Sequence, residues 1–343
     1  MSSETATLLA ETAERLFDDH VTRDVIVGAE EGQWPDALWL ALEESGLTQP
    51  VAPEDRGGLG LAWADALVIV FAAGKSCAPV PLAETMAAGW LLGRAGIDAP
   101  SGPLGLAPAD ASQPVPWGRQ AANVICVDGD DVQCLISDPA AIRPDANMAA
   151  EPRDFINRED VSVEASGSIS LVGGMSAADA VGALVRSAQM AGAAERCIEL
   201  AVTHAQDRQQ FGRPIAKFQA IQHMIAVAAA RAAEARVAAE AAFAAMDRVG
   251  PDGQGWDAAL WDIAAAKVVA GEAAGIVFDY CHQVHGAIGF THEHELNFAT
   301  RRLWAWRGEF GSETAWADYL GRRALAEGAD NLWPALTAAQ AAE

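Results

Sequence analysis

Asp207-Arg208-Gln209-Gln210-Phe211-Gly212-Arg213-Pro214-Ile215 interrupts a long alanine-rich stretch. On either side, Ala177–Gln206 and Pro214–Arg248 each run for roughly 30 residues without a strong breaker, and Pro214 falls where a helix can begin, because its fixed φ suits the first helical turn. A third apolar stretch, Trp256–Val284, follows the break Val249-Gly250-Pro251-Asp252-Gly253. Three long helices joined by short loops predict antiparallel packing, so residues 176–343 are expected to form a helical bundle.

Upstream, residues 97–175 differ in character. Proline and glycine cluster at Pro100, Gly102, Pro103, Pro108, Pro114 and Pro116. Short β-type runs follow at Asn123–Val127, Val132–Ile136 and Ile169–Val172, and Asp128-Gly129-Asp130-Asp131 reads as a hairpin turn between the first two. Residues 1–96 return to helical periodicity. Leu8, Leu9, Ala13 and Leu16 share a face, Leu38, Trp39, Leu42 and Leu47 form a second amphipathic set, and Ala62–Gly74 suits a buried helix. The expected fold is mainly α with a small β domain: helical domain 1–96, β domain 97–175 and helical bundle 176–343.

Charge narrows the function. The chain has 343 residues, a net charge of −24 and 51% hydrophobic residues. The apolar fraction supports a large core. Strong acidity without a Lys/Arg cluster argues against nucleic acid and against an anionic membrane surface. A small anion then needs individually placed arginines. Cys77, Cys126, Cys134, Cys197 and Cys281 are odd in number and scattered, which fits buried thiols in a reducing compartment. Met1-Ser2-Ser3-Glu4 lacks a basic n-region and an apolar h-region, so the expected location is cytoplasmic.

Two segments carry candidate chemistry. At 207–215, two arginines, an amide side chain and a helix junction make a pyrophosphate site; the same residues also read as an ordinary helix–turn–helix with solvated arginines. At Gln283-Val284-His285-Gly286-Ala287-Ile288-Gly289-Phe290-Thr291, the glycines allow close backbone approach to a ligand and Gln283 offers donor and acceptor; the plain alternative is a glycine C-cap and a turn. No strand precedes this segment and it is not G-x-G-x-x-G, so it is no Rossmann site. His282, His285, His292 and His294 lack metal-site spacing, and no metal is expected. There is no G-x-S-x-G elbow.

The order PEDRGGLG (53–60), a β module, DRQQFGRPIAKFQAIQH (207–223) and QVHGAIGFTHEHEL (283–296) resembles the acyl-CoA dehydrogenases over nearly the whole chain. The resemblance implies an N-terminal α domain, a middle β-barrel (reduced here) and a C-terminal four-helix bundle. It implies FAD across a subunit interface, with Arg208, Gln210, Phe211, Gln219, Gln283, Gly286, Ala287 and Gly289 as the positions that hold its ADP half. It implies α,β-dehydrogenation of an acyl-CoA by a glutamate base, with electron-transfer flavoprotein as acceptor.

The chain departs from that pattern. In Glu309-Phe310-Gly311-Ser312-Glu313-Thr314, Gly311 stands where the family's base is expected, and the alternative position near 180–186 has no glutamate either. No catalytic residue is therefore assigned. The segments that hold the flavin ring are also missing from residues 97–175, which are short for the family. These losses resemble the shorter subunit of the α2β2 heterotetramers of sterol side-chain breakdown, which completes the FAD site of a longer catalytic homologue. Two other readings are a self-sufficient homo-oligomer using Glu309 or Glu313, which otherwise read as a solvated acidic helix end, and a flavin-free structural or regulatory homologue.

Overall fold

Ser3 starts the first helix by capping it: its hydroxyl accepts from the Ala6 amide at 2.9 Å. The computed structural model describes residues 3–171 and 173–338. Five helices come first: α1 (Glu4–His20), α2 (Arg23–Glu30), α3 (Asp36–Glu44), α4 (Trp63–Lys75) and α5 (Leu82–Arg94). α4 and α5 are buried on most of their surface, as their nearly continuous apolar sequence requires. Trp63 joins them to the bundle, meeting Trp90 and Phe243 edge-on at 5.7 and 5.6 Å.

Seven short strands follow: β1 (Leu104–Leu106), β2 (Val115–Pro116), β3 (Asn123–Asp128), β4 (Asp131–Ile136), β5 (Ile142–Arg143), β6 (Arg153–Ile156) and β7 (Val163–Ser168). They make a four-stranded sheet, order β1-β3-β4-β7, and a three-stranded sheet, order β2-β6-β5. The β3–β4 hairpin closes on the Asp128–Asp131 pair, with Gly129 supplying a φ of 58°. The expected strand at Ile169–Val172 does not form: the third partner of this hairpin is β7, just upstream, and Ile169 and Leu171 are buried in the main core instead. Val172 lies outside the described residues. Two buried apolar residues around the exposed Ser170 make too short an alternation to separate a strand from a core-facing loop.

The C-terminal part contains α6 (Ala177–Asp207), β8 (Gln209–Gln210), β9 (Arg213–Pro214), α7 (Gln219–Met246), α8 (Trp256–His285), α9 (Leu296–Trp306), α10 (Glu313–Glu327) and α11 (Ala329–Ala338). Pro214 does not open the long helix: it caps a single 3-10 turn, Ile215–Lys217. Phe211 (φ 52°) and Gly212 (φ 77°) turn the chain into a two-stranded arm, Gln209 pairs with Pro214, and α7 begins only at Gln219. Alanines line the facing sides of the bundle: Ala228, Ala235, Ala239 and Ala242 of α7 and Ala259, Ala266, Ala270 and Ala273 of α8 are all buried. Small side chains let the long helices approach closely, which explains why alanine richness here is packing as well as helix propensity.

One core unites α1, α3–α5, the four-stranded sheet and the Trp256 end of the bundle; a second fills the opposite end, around Cys197, Cys281, Val284 and Trp306. The site regions lie at that second end and along the loop between α9 and α10.

Candidate functional site

The two sequence segments meet at one end of the bundle. His204, in the last turn of α6, stacks on His285, the last residue of α8, with ring centroids 4.5 Å apart. Arg208 follows His204 by one turn, its amide still bonded to the His204 carbonyl at 2.9 Å, and Gly286 follows His285 directly. The β8–β9 arm then carries Gln210 and Phe211 outward; Phe211 is 91% exposed. Gln219 opens α7 beyond the arm and is exposed, as are Gln283, Gly286 and Ala287, whereas Gly289 is buried in the short 3-10 turn Gly286–Phe290.

Exposure on this scale is unusual for an aromatic flanked by arginines. Among the described residues Arg208 has no carboxylate partner, although the chain carries 47 acids. Gly286 has φ 64°, and the position of a Cβ there meets open space. An unpaired guanidinium, three exposed amide side chains and an open glycine turn suit a diphosphate, so the donor set fits the ADP half of FAD.

The loop between α9 and α10 carries the segment expected to correspond to the family's base segment, and its backbone is tightly held. Phe310 and Gly311 take φ of 52° and 90° in succession. Lys267, buried in α8, donates to the carbonyls of Arg307 (2.7 Å) and Gly311 (2.6 Å), and Trp316 Nε1 donates to the Phe310 carbonyl at 2.8 Å. A Cβ on Gly311 would stand 2.6 Å from Trp316 Nε1. The position is thus closed to any larger residue, in conformation and in space.

Glu309 and Glu313 are not a solvated helix end: their side chains are 15% and 19% exposed. Glu313 pairs with Arg307; burial, the largest single influence, pushes its pKa up, but the bond and charge of Arg307, a backbone hydrogen bond and the charge of Lys267 together hold it below the ordinary value. Glu309 is gripped by Arg153 of β6 at 2.6 Å and by Arg186 of α6 at 2.7 Å. A pocket of about 260 Å³ opens beside it, lined by Pro114, Pro116, Asn147, Arg153, Glu309 and Phe310 among others.

These pairs belong to a continuous run of alternating charges. Arg186 also bonds Glu84 (2.5 Å); Arg153 also bonds Glu151 (2.9 Å); Glu151 reaches Arg302 (3.2 Å); and Arg302 and Arg301 share Glu30 at 3.4 and 2.7 Å. Four acids and four arginines alternate from the N-terminal helices through the β module to α9. Burial alone would raise the Glu151 pKa, yet Arg153 and Arg302 hold it at about 2. The members are far apart in sequence, and the one signal available was Arg186 itself, a charge inside an apolar helical run.

Residues 3–99 match the family description "Acyl-CoA dehydrogenase, N-terminal domain", and residues 176–325 match "Acyl-CoA dehydrogenase, C-terminal domain". The chain is 29% identical over 311 residues to acyl-CoA dehydrogenase IpdE2 of Mycolicibacterium smegmatis, covering 88% of this chain and 92% of that protein. Its fold is similar to that of the ChsE4-ChsE5 complex from Mycobacterium tuberculosis (TM-score 0.78, 20% identity, 96% of this chain and 99% of that one). It is also similar to the Tcur3481-Tcur3483 steroid ACAD G363A variant (TM-score 0.77, 22% identity, 95% and 99%).

Proposed function

The chain belongs to the acyl-CoA dehydrogenase family, whose cofactor is FAD, and from that premise we propose that it is the base-lacking subunit of a heteromeric acyl-CoA dehydrogenase. The observation that carries the proposal is the Gly311 site: the residue at the family's base position has left-handed φ and no room for a side chain. Both nearby glutamates are engaged by arginines, so the carboxylate oxygens that a proton abstraction needs are already occupied. The ADP-side donors stand in contrast, exposed and unengaged.

In this reading Arg208 pairs with the diphosphate of the partner subunit's FAD. Gln210, Gln219 and Gln283 orient the nucleotide by hydrogen bonds, Phe211 packs against it, and Gly286, Ala287 and Gly289 let the backbone come close. Bound FAD supplies the hydride acceptor; the partner supplies the base. A longer homologue in an α2β2 assembly completes the enzyme, and electron-transfer flavoprotein takes the electrons. The substrate class is an acyl-CoA of lipid or steroid breakdown; the heterocomplex neighbour and the neighbour described as a steroid ACAD support that choice.

Co-expression with a longer, base-bearing homologue tests the proposal. A yellow complex with acyl-CoA dehydrogenase activity is expected, with neither subunit active alone. Stoichiometric FAD and full activity in this chain alone would overturn it in favour of a self-sufficient enzyme, and a folded complex without flavin absorbance would overturn it in favour of a structural homologue.

A further inference from the structure

Three histidines that chain order keeps apart converge where α6 and α8 end. His204 lies in the last turn of α6, His285 closes α8, and His294 sits just before α9. One ring nitrogen from each lies within 4.8 Å of the other two. His285 is 6% exposed; its Nδ1 donates to the Cys281 carbonyl at 2.7 Å, and its Nε2 is buried without a partner among the described residues. A ring fixed by one N–H on a backbone carbonyl, with the opposite lone pair left free, is how proteins orient a metal-binding imidazole. Of the neighbouring histidines, His282 is turned away: its Nε2 faces Thr300 at 3.0 Å and its ring stacks on Phe290.

We propose that His204, His285 and His294 form a binding site for one divalent transition-metal ion. Three imidazoles select the zinc, cobalt, nickel and copper class over magnesium or calcium, which take oxygen ligands. Two helix C-termini point their carbonyl ends toward this corner, a field that favours a cation. Burial holds all three histidines below their ordinary pKa, and repulsion from neighbouring rings adds to it at His204 and at His285, which falls to about 4, so they are neutral ligands near neutral pH.

A zinc ion at about 2.0–2.1 Å from each nitrogen brings the nitrogens to roughly 3.3 Å apart, so the rings close inward on binding. His294 moves most readily, being half-buried. Its Nδ1 accepts from the Leu296 amide at 3.1 Å, and that bond is exchanged when a lone pair turns to the metal. The fourth position is left for water. The ion ties the end of α6 to the end of α8, and so fixes Arg208 relative to Gly286. The site itself stands on the histidines and holds whatever the subunit's role.

The full-length chain, with its partner subunit where the two co-purify, is stripped with chelator and titrated with Co²⁺, then with Zn²⁺. One Co²⁺ per chain with visible d–d bands is expected, displaced by Zn²⁺, and Zn²⁺ raises the melting temperature. His204→Gln and His294→Gln, both at half-buried positions, each weaken binding by about 100-fold or more while circular dichroism is unchanged; His223→Gln on α7 binds normally. The proposal is overturned if no Co²⁺ binds below roughly 0.1 mM, or if the two variants bind as tightly as the parent chain. Should one variant fail to fold, the other and the measured stoichiometry decide the matter.

Discussion

Arg153 holds Glu309 with two parallel bonds, Nε to Oε1 at 2.6 Å and Nη2 to Oε2 at 3.0 Å. Arg186 takes the same carboxylate from the other side at 2.7 Å. A carboxylate fixed in this way is an anchor between the β module, α6 and the α9–α10 loop. Glu309→Gln removes the charge that compensates two buried arginines, so it should cost on the order of 3 kcal/mol in denaturant unfolding. If the partner supplies the base, as proposed, the dehydrogenase rate of the assembled complex should stay within about twofold of the parent. Loss of the rate with unchanged stability would make Glu309 the base and remove the anchor reading.

Gly311 gives a sharper test of the same loop. Restoring a glutamate there does not restore a base, because a Cβ meets Trp316 Nε1 at 2.6 Å and the backbone holds φ 90°. Gly311→Ala and Gly311→Glu should both destabilise the chain, by about 1–3 kcal/mol for the alanine and more for the glutamate. Neither should give the chain activity of its own. A folded, active Gly311→Glu chain would show that the loop opens to admit a base.

The flavin-side residues should behave in the opposite manner. Arg208 and Gln283 are exposed, so alanine at either position should leave the melting temperature nearly unchanged. If they grip the partner's cofactor, Arg208→Ala should lower the FAD occupancy of the purified complex about tenfold or more, and Gln283→Ala by a smaller factor. Added salt should weaken the Arg208 contribution selectively. Unchanged FAD absorbance per complex in both variants would place the cofactor contacts elsewhere.

Legibility followed locality. The long helices were readable because alanine-rich periodic stretches ended at strong breakers, and the β3–β4 hairpin because Asp128-Gly129 needs only its neighbours. Pro214 marks a helical start, but only of a 3-10 turn at Ile215–Lys217; the positive φ of Phe211 and Gly212 commits the chain to an arm first, and α7 begins at Gln219. The third strand was displaced because Ile169 and Leu171 are apolar for the core's sake. Of the charged network only Arg186 stood out, as a charge in an apolar run, since Glu30, Glu84, Glu151 and Arg302 are brought to it by tertiary packing alone. The histidine cluster was set aside in the sequence, because the local spacing is not that of a metal site. His285 and His294 stood out by proximity, and His204, which completes the group, lies some 80 residues upstream.

Lys267 gives the loop a pH signature. Burial lowers its pKa from 10.5 to about 7, against the pull of Glu309 and Glu313. Between about pH 7 and pH 10.5 the unfolded chain therefore holds a proton that the native chain does not, and stability should rise with pH across that window, by at most about 1.4 kcal/mol per unit. Below pH 7 both states are protonated and the cost of the buried charge is constant. Lys267→Met should abolish the rise, because nothing remains to titrate at that position. It should also lower overall stability by about 1–3 kcal/mol, because the Arg307 and Gly311 carbonyls lose their donor. Denaturant unfolding of parent and variant from about pH 6 to about pH 10 isolates the difference, since every other group titrates in both. Parallel stability curves would mean that Lys267 keeps its proton throughout, and that the α9–α10 loop is held by an ammonium rather than by an amine near its midpoint.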